Sequence, residues 1–76
     1  MYKDVVEYIV KTLVDNPDQV EVRESEENGA VVLELRVDSA DMGRVIGRGG
    51  RVVNAIRALV DAIASKQEQQ VTLEVV

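Results

Sequence analysis

Apolar residues recur once or twice per helical turn from the start of the chain: Tyr2, Val5, Val6, Ile9, Val10, Leu13 and Val14. This spacing predicts a helix from Lys3 to Val14. Asp15-Asn16-Pro17-Asp18 ends it, because the residue before a proline avoids helical angles. From Gln19 to Glu24 the period changes to two, with Val20 and Val22 alternating with Glu21 and Arg23, as in a strand. Glu26-Glu27-Asn28-Gly29 is a turn carrying the Asn-Gly hairpin signal. A second strand follows from Ala30 to Val37, with Val31, Leu33, Leu35 and Val37 facing one way and Glu34 and Arg36 the other. Asp38 or Ser39 caps the next helix and Asp41 suits its first turn. That short helix spans Ala40 to Ile46 and stops at Gly47. A third spans Arg51 to Ser65. Gln67 to Gln70 is a polar connector, and Val71, Leu73 and Val75 alternate with Thr72 and Glu74 in a last strand. The order α-β-β-α-α-β predicts one α+β domain over residues 1–76: a three-stranded mixed sheet covered on one face by three helices.

The segment between the second and third helices carries the candidate chemistry. It reads Val45-Ile46-Gly47-Arg48-Gly49-Gly50-Arg51-Val52-Val53, a Gly-x-x-Gly loop flanked by branched apolar residues. Glycines at both ends let another backbone approach closely. A helix starting at Arg51 turns unpaired amides and the positive end of its dipole toward the loop. That arrangement suits a phosphate, and no side chain in it is a nucleophile or base. The plainer reading is also open: Gly47 as a helix C-cap and Gly50 as a helix-entry residue.

Charge sharpens the picture. The net charge of −5 argues against a nucleic-acid partner until it is resolved along the chain. Residues 42–57 hold Arg44, Arg48, Arg51 and Arg57 and no acid, whereas residues 1–41 hold 11 acids and 4 bases. The positive charge is therefore packed around the glycines, as arginine, whose planar fork binds phosphate bidentately. The alternative is that these are solubilising surface arginines.

Composition removes several functions. There is no cysteine and no histidine, so disulfides, thiolate metal sites, the commonest zinc ligand and the usual general base are absent. The acids form no evident catalytic pair, and no cofactor or small-molecule substrate is expected. The loop lacks the Gly-Lys-Ser/Thr ending of a P-loop and the third glycine of a dinucleotide fingerprint. No apolar run is long enough for a membrane span, and Met1-Tyr2-Lys3-Asp4 is unlike a signal peptide, so a cytoplasmic protein is expected. The only aromatics, Tyr2 and Tyr8, lie in the first helix. Bases would have no aromatic platform, which predicts loose sequence preference.

The order of elements and the position of the loop resemble the type II KH domain of bacteria, over essentially the whole chain. Val45-Ile46-Gly47-Arg48-Gly49-Gly50-Arg51-Val52-Val53 fits its apolar-Ile-Gly-x-x-Gly-x-x-apolar signature. Leu13-Val14-Asp15-Asn16-Pro17, Val20-Glu21-Val22 and Asp41-Met42-Gly43-Arg44 are similar to the small stand-alone bacterial KH proteins of the KhpA (YlqC) type. The resemblance implies a protein that clamps single-stranded RNA, as a homodimer or a heterodimer with a larger KH-containing protein, in post-transcriptional regulation or as an RNA chaperone. Carried over by position, Gly47 and Gly50 define the clamp and Arg48 and Gly49 are its variable pair. Amides from Gly49 to Val52 would meet phosphate, with Arg48 and Arg51 adding charge. Val45, Ile46 and Val53 would floor the base site, with the second strand as the opposite wall. Arg44 and Arg57 would steer the strand from farther out, Arg57 having the alternative of a structural ion pair. Glycine at 49 rather than lysine implies a more flexible loop and weaker binding. Gly43 is read as permitting close helix packing.

A second surface comes from the third helix. At 100° per residue, Val52, Val53, Ile56, Leu59, Val60 and Ile63 form the core stripe, Asn54, Arg57, Asp61 and Ser65 lie opposite, and Ala55, Ala58 and Ala62 form a flank between them. Small residues with Leu59 at their edge suit a dimer interface; alternatively, alanine is simply the best helix former on a half-exposed face. A remaining rival to RNA binding is a protein-interaction module whose groove is vestigial.

Overall fold

Asn28 and Gly29 both adopt positive φ, 53° and 83°, the geometry of a two-residue hairpin turn. The computed structural model describes residues 1–76. The turn joins β1 (Glu21–Glu27) to β2 (Ala30–Arg36) in an antiparallel pair that places Glu27 opposite Ala30 and Glu21 opposite Arg36. Glu26 and Glu27 thus belong to the strand and not to the turn. The strand also starts later than its alternation suggests, because Pro17–Gln19 form a 3-10 turn. β2 is central, and β3 (Val71–Val75) lies parallel to its other side with Leu33 opposite Leu73.

Parallel strands need a crossover, and here it consists of a 3-10 turn at Ser39–Asp41, α2 (Met42–Ile46) and α3 (Arg51–Lys66). With α1 (Tyr2–Leu13), the expected α+β order and mixed sheet are present. α1 ends a residue early, Val14 being extended at φ −99° and ψ 159°. The second helix is shorter than its pattern, since its first turn is 3-10.

Fifteen apolar residues form one core. Val31, Leu33 and Leu35 of β2 and Val71 and Leu73 of β3 supply its floor; Tyr2, Val6 and Val10 of α1 and Val53, Ile56, Val60 and Ala64 of α3 cover it. The other face of the sheet carries Glu21, Arg23, Glu34, Arg36, Thr72 and Glu74, in keeping with strand alternation. Leu59 departs from the helical-wheel expectation: it is 53% exposed and outside the core. The core stripe of α3 is narrower than drawn, centred on Val53, Ile56, Val60 and Ala64. Consequently Ala55, Ala58 and Ala62 lie on the exposed outer face of α3, while half-buried Arg57 lies at the border of the core stripe rather than opposite it. Gly43 does not serve close packing, contrary to expectation, since a Cβ there would meet nothing within 4 Å.

Candidate nucleic-acid interface

α2 ends because Gly47 leaves helical space at φ 76° and ψ 170°, a region essentially reserved for glycine. Its amide still donates to the Gly43 carbonyl, closing the helix. Arg48–Gly50 then make a single 3-10 turn into α3, with Gly49 at φ 62° and Gly50 at φ 80°. Three positive-φ positions within four residues explain why three of these four positions are glycine.

The three glycines are not equivalent. A Cβ on Gly47 would lie 2.8 Å from the Val52 amide nitrogen, over a donor in the first turn of α3. A Cβ on Gly50 would lie 3.4 Å from Asn54 Nδ2. At Gly49 it would meet nothing within 4 Å. The loop is also more ordered than a run of glycines suggests: Gly50 N–H donates to Gly47 O at 3.1 Å, and Arg51 N–H donates to Arg48 O. Those two amides are committed to the turn itself, which reduces the Gly49-to-Val52 row expected to face a phosphate.

Arg48 and Arg51 are exposed and form no ion pair, so both guanidinium groups are free for an anion beside the loop. Arg44 is turned the other way, 3.6 Å from Asp15 Oδ2 in an exposed pair. Arg57 forms no ion pair either; its Nε–H donates to Leu73 O at 3.3 Å and its Nη1 to Asn54 Oδ1 at 3.2 Å. Val45 and Val53 are core residues, 0% and 4% exposed. They brace the loop from beneath and offer no floor to a base; Ile46 and Val52 are half-buried. Beside α3 the free edge of the sheet belongs to β3, which Arg57 reaches, whereas β2 is paired on both edges. No enclosed pocket lies beside the loop, and Arg48, Gly49 and Arg51 are exposed.

Sequence patterning missed the role of Asp41. Its side chain is 1% exposed and accepts the amides of Asp15 and Asn16 at 3.1 and 3.0 Å and the Asn16 side-chain amide at 3.1 Å. Burial works to raise its pKa, but those N–H groups and nearby Arg44 outweigh it and hold the carboxyl below its usual range. The carboxylate thereby ties the α1–β1 connector to the start of α2, the helix that delivers Gly47. Only its place directly before an apolar helix hinted at importance.

A family model described as KhpA/KhpB, KH domain, matches residues 3–75. The chain is 49% identical over 73 residues to a protein of Aquifex aeolicus named RNA-binding protein KhpA, covering 96% of this chain and 92% of the relative. It is 47% identical over 73 residues to the protein of that name from Caldanaerobacter subterraneus subsp. tengcongensis, covering 96% and 97% of the two chains. It is 45% identical over 74 residues to that of Clostridium perfringens, covering 97% and 99%. With the fold, the loop and these relatives in agreement, the chain belongs to the KhpA/KhpB KH-domain family.

Proposed function

We propose that the chain binds single-stranded RNA by clamping its phosphodiester backbone at Gly47–Gly50, acting as a dimeric post-transcriptional regulator or RNA chaperone in the cytoplasm. The carrying observation is the glycine loop at the start of α3, with three positive-φ glycines and no Cβ where Gly47 meets Val52, flanked by exposed Arg48 and Arg51 that form no ion pair. Both features favour an anion, and their placement on one segment favours a polyanion. The names of the relatives agree with this reading. The exposed Leu59 among Ala55, Ala58 and Ala62 supports a homodimer, or a heterodimer with a larger KH-containing protein, through the outer face of α3.

The test is binding of a short unstructured RNA to the wild type and to the double variant Arg48→Asp with Gly49→Asp. Arg48 is exposed and a side chain at 49 would meet open space, and aspartate tolerates the left-handed angles at 49. Loss of binding with an unchanged melting temperature and mass supports the clamp. Equal binding, or none by the wild type, leaves the interaction-module reading, in which the α3 face and not the loop carries function.

A further inference from the structure

A hydrogen-bonded chain from Asn54 through Arg57 to Leu73 runs from beside the glycine loop to the free edge of the sheet. The Cβ position of Gly50 lies 3.4 Å from Asn54 Nδ2; Asn54 Oδ1 accepts from Arg57 Nη1; Arg57 Nε–H donates to Leu73 O. Residues 50, 54 and 57 are spaced four and three apart, so they form one row down α3. Arg57 is half-buried, which fixes its direction, and it stands about 9 Å along the helix from Arg51.

The Leu73 carbonyl points outward for a simple reason. Val31 N–H donates to Gln70 O and Val76 N–H to Leu35 O, so residues 70 and 76, at the two ends of β3, face β2. In a parallel ladder the alternate residues, Val71, Leu73 and Val75, then direct their N–H and C=O away from β2. Arg57 is thus anchored on the edge opposite the loop. An arginine has five N–H donors, and Arg57 uses two, one on Nε and one on Nη1. The remaining donors sit on its two terminal nitrogens.

Building on the RNA-clamp reading, we propose that Arg57 is a specificity-determining residue that favours a base with two adjacent acceptors, the O6/N7 edge of guanine or the O2/N3 edge of cytosine. A strand held by its phosphates at the loop projects its bases away from the phosphate line, toward β3. Adenine sets an amino donor beside N7, and uracil separates its two carbonyls by N3–H; neither pairs with two parallel arginine donors. The bond to the Leu73 carbonyl holds the Arg57 guanidinium at the β3 edge, whereas Arg48 and Arg51 have no such tether.

The experiment compares four eight-nucleotide RNAs, uridine alone and uridine alternating with guanosine, cytidine or adenosine, against wild type, Arg57→Lys and Arg57→Ala. Wild type is expected to bind the guanosine or cytidine oligomer at least about five-fold more tightly than the other two. Arg57→Lys keeps the charge but loses the fork and is expected to bring that ratio near one; Arg57→Ala does the same with weaker binding throughout. A merely structural Arg57 would change the melting temperature and leave the ratio alone. A wild-type ratio near one, or a ratio that survives both substitutions, overturns the proposal while leaving the clamp intact. Failure of wild type to bind any oligomer overturns both.

Discussion

Gly47 and Val52 approach so closely that a Cβ on the glycine would lie 2.6 Å from Val52 Cγ2. Val52 packs against the core, so it cannot retreat without disturbing α3. The same contact brings the Gly47 backbone against the Val52 amide nitrogen, 2.8 Å from where a Cβ would stand. One missing methyl therefore serves both the fold and the anion surface, and substitutions at 47 and 49 separate the two effects.

Gly47→Ala is expected to cost about 2–4 kcal/mol, from a glycine-only backbone region together with overpacking. This corresponds to a fall in melting temperature of roughly 10 °C or more for a domain of this size. Gly49→Ala meets open space and only an ordinary left-handed penalty of about 1 kcal/mol, or about 4–8 °C. Thermal melts of the two variants check this; equal losses would mean that the loop relaxes around residue 47.

Gly49→Lys is expected to raise RNA affinity and lower stability by about 1 kcal/mol, because lysine adopts φ 62° less readily than glycine. The added cation should steepen the slope of log affinity against log salt by about 0.7. Binding titrations at several salt concentrations check it. An unchanged slope and affinity would show that this side of the loop does not face the RNA backbone.

Local chemistry made most of the fold readable. The Asn28-Gly29 turn, the alternation in β2 and the Gly-x-x-Gly loop each depend on neighbours within a few residues. What stayed hidden depends on distant partners. Asp41 is satisfied by the amides of Asp15 and Asn16, and backbone N–H groups leave no mark on a sequence. Arg57 meets a carbonyl of β3 for the same reason. Leu59 lies near the border of the apolar arc, where a 100° wheel does not decide between core and surface; the structure turns it outward.

The Asp41 hub makes acid stability a readout. Its folded pKa lies below the ordinary carboxylate value, so its contribution is fully present above that value, about 3.9. It declines as pH falls below about 4 and is gone below the folded pKa. In Asp41→Asn an amide replaces one carboxylate oxygen and sets N–H against N–H at Asp15 or Asn16. The variant is expected to melt well below wild type at pH 7, with the gap narrowing toward pH 3. A constant gap across that range would assign the loss to packing and not to the charge.

Leu59 is 53% exposed, with Ala55, Ala58 and Ala62 beside it on the same exposed surface. A second α3 could approach closely over side chains this small and cover Leu59. Ala58 is exposed and remote from the core, so glutamate there retains good helix propensity and leaves the folded protomer intact. If this face joins two copies, the wild type should show twice the 8.4 kDa chain mass in solution and Ala58→Glu should show one. Two carboxylates brought together at the centre of a two-fold contact would oppose association strongly, whereas on a free face they would add only charge. A dimeric wild type whose mass survives Ala58→Glu would move the interface elsewhere. The unpaired edge of β3 is the next surface to examine, since Arg57 covers it at Leu73 alone.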